Sequence, residues 1–218
     1  MSFINKIRFG NLSLKEKEIS LKDDEVSRKL QKLGLYEALF EMPPPENSSD
    51  ETKSDLKLLS ELTSNVSDVT LEFCKSAEKD SVQLFVNLLK RHGITEITKN
   101  HLEKVLDQAE PLLFRLKDHY NRARPNQVAY YYNIDLAVPI DTTNANHPAY
   151  PAGHSYEGYI LANLLAEKYP THKESLLKLG KNVGLSRIVL GLHYKSDHEF
   201  GRYLGKLLID NQLISLTV

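Results

Sequence analysis

The stretch "YPAGHSYEGYILANLL", residues 150–165, decides how the rest of the chain is read. Pro151, Ala152 and Gly153 form a tight turn, and an apolar pattern of helical period follows at once. The spacing predicts a helix that begins around Ser155. Its first N–H groups have no partner within the helix, so the turn presents free donors and the positive end of the helix dipole. Gly153 leaves the backbone open to close approach. His154 therefore stands where an anion would bind, carrying a ring that titrates near neutrality. The plainer reading is an ordinary helix start with a histidine beside it.

Working outward, the same period recurs. Leu56, Leu59, Leu62 and Val66 form one stripe, and Val82, Phe85, Val86 and Leu89 another, closed by "RHG". The segment "ITKNHLEKVLDQAEPLLFRLKDHYNRARP" reads as one or two helices ending at Pro125, and further helices are expected over 155–169, 172–193 and 197–213. Residues 22–40 suggest short amphipathic helices broken near Gly34. "MPPPENSSDETKSD" (42–55) and residues 126–150 read as irregular, the second as a long loop whose length points to function. No repeat and no strand is evident. The expected fold class is all-α, one domain over residues 1–218, with N-terminal helices and a Pro-rich loop to about residue 55 and a helical core from about 56 to 218.

Composition bounds the rest. Of the 218 residues 41% are hydrophobic and 26% charged, and the formal net charge is −1, so neither a basic field for nucleic acid nor an acidic disordered chain is indicated. The single cysteine, Cys74, excludes an internal disulfide and a multi-cysteine metal site, and reads as a small buried residue. Charges interrupt "MSFINKIRFGNLSLKEKEIS" before an export signal's apolar run can form, and no run approaches the roughly 18–20 residues that span a bilayer. A cytoplasmic protein without membrane partners is expected.

Two further clusters join the first. In "KDHYNRARP" (117–125), Lys117 and Arg124 are two helical turns apart and can clamp an anion, with Arg122 on another side; a solvated basic helix end is the competing reading. In "SRIVLGLHYKSD" (186–197), Arg187 offers a planar cation, and His193 and Asp197 sit at i and i+4. On a helix that carboxylate accepts one imidazole N–H and frees the other ring nitrogen to attack. Helical His–Asp pairs also arise for structural reasons alone. Taken together, three cations, a helix N-terminus and two histidines make an inventory for phosphoryl transfer.

Lysine, six residues, Arg-Pro; Pro-small-Gly-His; and Ser-Arg, five residues, His, three residues, Asp resemble the three-part signature of the type 2 phosphatidic acid phosphatase (PAP2) superfamily. Over roughly residues 110–210 the chain is most similar to its soluble class A non-specific acid phosphatases. The resemblance implies a helical bundle of the acid phosphatase–haloperoxidase type and a metal-independent phosphomonoesterase with no cofactor and no metal. It implies His193 as a nucleophile forming phosphohistidine, Asp197 as its partner and His154 as general acid. Lys117, Arg124, Ala152, Gly153, His154 and Arg187 would bind phosphate. Small soluble monoesters are the implied substrates, and a homodimer fits the class, whose members are often periplasmic.

Ala152 stands where the family usually has serine, so one hydroxyl donor is missing, at a cost of about 1.5–3 kcal/mol if nothing replaces it. A phosphate-binding protein with weak turnover is therefore one alternative; a vanadate-dependent haloperoxidase, usually much larger, is another. Tyr130, Tyr131 and Tyr132 can wall a pocket or pack a loop. His119, His147 and His198 receive no role.

Overall fold

The computed structural model describes residues 2–142 and 145–216, and over these the chain is all-α, with no named strand. The helices are α1 (Leu14–Ser20), α2 (Glu25–Lys32), α3 (Asp50–Ser64), α4 (Asp68–Arg91), α5 (Lys99–Tyr120), α6 (Pro125–Ala129), α7 (Gly153–Lys168), α8 (Lys173–Val189) and α9 (Lys195–Asp210). None is long and apolar enough to cross a membrane among the described residues.

Helix α7 is the axis. Tyr156, Ile160, Leu161, Leu164 and Leu165 are all buried, so its faces pack on several neighbours at once. It lies closest to α8 because Gly158 and Gly180 meet: a Cβ on Gly158 would stand 2.8 Å from the Gly180 carbonyl oxygen. Backbone cannot yield as a flexible side chain can, so glycine is required at this crossing. Leu102, Val105, Leu112 and Leu116 of α5 and Leu204 and Leu208 of α9 complete the main core with α7. The N-terminal segment is tied on by Arg115, which ion-pairs with Asp24 at 2.6 Å and donates to Ser20 and Lys22 carbonyls.

Helix starts follow local chemistry. Ser13, Asp24, Ser49, Ser67 and Thr98 each cap a helix by accepting a backbone N–H. Helix α4 breaks at Asp80, whose extended backbone (φ −167°, ψ 89°) lets its carboxylate accept the Gln83 N–H and restart the helix. The break after Gly34 (φ +68°) is as the sequence suggested.

Several boundaries are corrected. Helix α5 stops at Tyr120, because Asn121 turns left-handed (φ 45°, ψ 42°) and its N–H closes on the Lys117 carbonyl. Pro125 opens α6 rather than ending α5, as fits proline at a first helical position. The expected loop over 126–150 is therefore helical through Tyr132, with a short 3₁₀ turn at Tyr130–Tyr132; its residues 143 and 144 lie outside the described residues. Helix α7 begins at Gly153, two residues before the expected start. Helix α8 ends at Val189, where Gly191 (φ +69°) turns the chain, so His193 sits in a turn and not on a helix. Helix α9 then runs from Lys195 to Asp210.

Candidate phosphate site

Four turns and helix ends converge on one cavity of about 500 Å³. Its inner wall carries Gly153, His154, Arg187, His193, His147 and Glu78. Lys117, Arg124 and Asp197 stand behind that wall, and Ala152 is buried in it as the N-cap of α7.

The turn between α8 and α9 sets the central pair. Asp197 lies in the first turn of α9, and its Oδ2 accepts both the Tyr194 N–H (2.9 Å) and the His193 ring at Nδ1 (3.2 Å). The i, i+4 relation predicted for a helix thus survives, but as a helix cap. The other ring nitrogen settles the tautomer. Arg124 Nη1 lies 2.9 Å from His193 Nε2. Guanidinium only donates, so Nε2 is the acceptor and Nδ1 carries the hydrogen shared with Asp197. Burial, followed by Arg124, Lys117 and Arg187, pushes the His193 pKa far below the ordinary imidazole range, so the ring is neutral. The result is an oriented lone pair.

The N-terminus of α7 faces the same cavity. The Gly153, His154 and Ser155 N–H groups have no acceptor among the described residues, the first helical bond being Tyr156 N–H to Ala152 O. Ala152 N–H donates to the Asp197 carbonyl (3.0 Å), which locks this turn to α9. Lys117, fully buried, donates to the Pro148 and Pro151 carbonyls at 2.8 and 2.6 Å. Burial and Arg124 depress its pKa. Arg124 also holds the His147 carbonyl and ring, and burial pulls its own pKa down to about 9.

Arg187 is ion-paired with Glu78 of α4, which also accepts from Thr142. Its Nε is buried without a partner. An unpaired charged donor beside the cavity is a strong anion contact in waiting. His154 is half-buried, its Nε2 3.3 Å from the Ala77 carbonyl; desolvation and Arg187 hold its pKa at about 3.

Three contributors were missed in the sequence. Arg122 pairs with Asp197 Oδ1 at 2.6 Å, also donates to Ser196, and stacks on the Tyr194 ring at 3.9 Å. The "RAR" run placed it close in sequence but gave no partner. Glu78 and Glu157 arrive from α4 and α7 with no local motif. Burial and Glu110 raise the Glu157 carboxyl to about 7. By contrast the Tyr130–Tyr132 aromatics do not wall the cavity: Tyr130 and Tyr131 are exposed, and Tyr132 donates to the Asn47 carbonyl. His119 contacts the Phe40 carbonyl away from the site, and Cys74 is buried as expected.

These shifts fix the sign of a pH effect. His147, His154, His193 and His198 all bind protons more readily unfolded than folded. Their stabilising contribution is complete above the ordinary value of 6.5 and is lost as pH falls, down to about 3 for His154 and about 4 for His198. Glu157, with Glu110 and Asp55, is raised and works in the opposite sense, gaining stability as it protonates below about 7 for Glu157. With four strongly shifted histidines prevailing, thermal melts should show Tm falling steadily from pH 7 to 4. A flat or rising Tm would contradict this balance.

The all-α frame gathers buried cations, a helix N-terminus and an oriented histidine at the wall of one cavity. Residues 102–209 match the family model described as the PAP2 superfamily. The chain is similar to a non-specific acid phosphatase of Salmonella typhimurium, 36% identical over 90 residues, or 41% of this chain and 35% of that protein. An acid phosphatase of Zymomonas mobilis is 36% identical over 92 residues, covering 40% and 32%. A non-specific acid phosphatase of Providencia stuartii is 30% identical over 102 residues, covering 46% and 40%. The chain thus matches about a third to two fifths of the length of these relatives.

Proposed function

We propose that this protein is a metal-independent phosphomonoesterase that works through a phosphohistidine on His193. The observation that carries this reading is the His193 ring itself: neutral, its Nδ1 paired with Asp197, its Nε2 held only by Arg124, at the wall of a cavity that Arg187 also lines. In the proposed cycle a monoester's phosphoryl oxygens take the Arg124 and Arg187 donors, displacing His193 Nε2 from Arg124 and Glu78 from Arg187. Lys117 and the free N–H groups of α7 complete the cradle. The freed Nε2 attacks phosphorus as the P–O bond to the leaving group breaks. The phosphorylated ring is then cationic, and Asp197, itself braced by Arg122, stabilises it. Water returns the histidine and releases inorganic phosphate.

His154 is the proposed proton donor to the leaving oxygen. With its free-site pKa near 3 it arrives without a proton. Two things supply one: the bound phosphoryl group offsets Arg187, the main charged group holding the pKa down, and a monoanionic ester carries a proton of its own, lost near pH 6. Activity on the acid side of neutrality follows from this, since His193 stays neutral there. Ala152 withholds a hydroxyl, but its N–H and the turn are held by Asp197 regardless.

The test is hydrolysis of p-nitrophenyl phosphate from about pH 4 to 8 with EDTA present. EDTA-resistant turnover, strongest below pH 7, is expected. Turnover that EDTA abolishes would overturn the metal-free mechanism, and phosphate binding without turnover would favour the binding protein that Ala152 suggests.

A further inference from the structure

Another face of α7 lines a second cavity, of about 400 Å³, between α7, α8 and α9. Lys178 and Lys181 from α8 and Arg202 from α9 reach it, and no carboxylate lines it. None of these three cations has a carboxylate within 4 Å among the described residues, whereas Lys29, Lys99 and Lys206 elsewhere on the surface do. Leu177 and the Tyr159 ring add an apolar wall, with the Arg202 guanidinium 5.8 Å from that ring's centre.

The floor is polar and buried. Ser155, 1% exposed, lines the cavity, and its hydroxyl lies 2.7 Å from Nδ1 of the buried His198. Arg202 and Lys181 act on this ring too: with burial they hold the His198 pKa at about 4. Three cations thus rim a floor on which the Ser155 hydroxyl is held by His198, in a space of the size that small-molecule sites occupy.

We propose that this cavity is a second binding site, for a small ring-bearing anion such as an aryl phosphate or sulfonate. Its charged group meets Lys178, Lys181 and Arg202, and its ring packs on Tyr159 and Leu177. The assignment is independent of the chemistry proposed for the first cavity.

Phenylphosphonate is the probe, because its P–C bond is not a phosphate ester. Calorimetric titration of the full chain should give two sites. The variant Lys178→Ala/Lys181→Ala/Arg202→Ala, altered only at exposed side chains, should bind at one of them at least about a hundredfold more weakly, as loss of three charge-assisted contacts requires. Arg187→Ala should weaken the other. In NMR spectra the His198 ring signals should move on titration of the wild type and of Arg187→Ala, and stay still in the triple variant. Equal binding by wild type and triple variant, or His198 signals that never respond, would overturn the proposal. One site that only the triple substitution removes would uphold it while counting against the reading of the first cavity.

Discussion

Replacing His193 with alanine should lower p-nitrophenyl phosphate hydrolysis by at least about 10⁴-fold, the scale on which loss of a covalent nucleophile is felt. The cradle is not dismantled by this change. Lys117 keeps its two carbonyl partners, the α7 N–H groups keep their direction, and Arg124 keeps the His147 and Leu192 carbonyls at 2.8 Å. Inorganic phosphate should therefore still bind within about tenfold of wild type, since only one neutral group is removed. Loss of turnover with retained binding is the signature of a nucleophile. Loss of both would make the residue structural, and survival of turnover would place the attacking atom elsewhere.

The second large effect is expected for Asp197→Asn. The carboxylate is fully buried and serves three donors: His193, the Tyr194 N–H and Arg122. An amide of the same shape has one oxygen, so in either orientation an NH₂ group confronts a donor. If it faces His193, the ring hydrogen moves to Nε2 and the attacking lone pair disappears; activity should fall by about 10³–10⁴-fold, as tautomer loss does elsewhere. Arg122, 3% exposed, is also left without its counter-charge, which should cost about 3–5 kcal/mol of stability. The two losses separate in Asp197→Asn/Arg122→Met. Removing the stranded guanidinium should return much of the stability, seen by denaturant melts, and none of the activity. If activity returned with stability, Asp197 would be acting through the fold and not through the ring.

Much of this was legible before any coordinates. The helical periods of residues 56–62 and 82–89 come from the spacing of apolar side chains, and Leu56, Leu59, Val82, Phe85, Val86 and Leu89 are buried as that spacing implies, whereas Val66 lies beyond the end of α3. The motif clusters at 151–154 and 186–197 share the wall of one cavity, and that at 117–125 stands behind the wall, touching it through Arg124 and His193. Boundaries were less legible, because they turn on single backbone conformations. Asn121 ends α5 four residues before the proline that seemed to end it, and Gly191 removes His193 from α8. His193 and Asp197 nonetheless meet, since a cap and a helical turn bring similar spacings together. What no local pattern encodes is pairing across the chain. Glu78 reaches Arg187 over 109 positions, and Arg122 reaches Asp197 over 75. Such contacts belong to the packing of α4 and of the α5–α6 turn, which a single sequence does not spell out.

The covalent intermediate is the centre of the account, and rapid quenching tests it most directly. Protein mixed with p-nitrophenyl phosphate, quenched in alkali within one turnover and digested, should yield a peptide containing His193 heavier by one phosphoryl group. That label should vanish on acid treatment, as a P–N bond does, and be absent from His193→Ala. A phosphoryl group on any other residue, or steady turnover with no phosphoenzyme at any quench time, would contradict it.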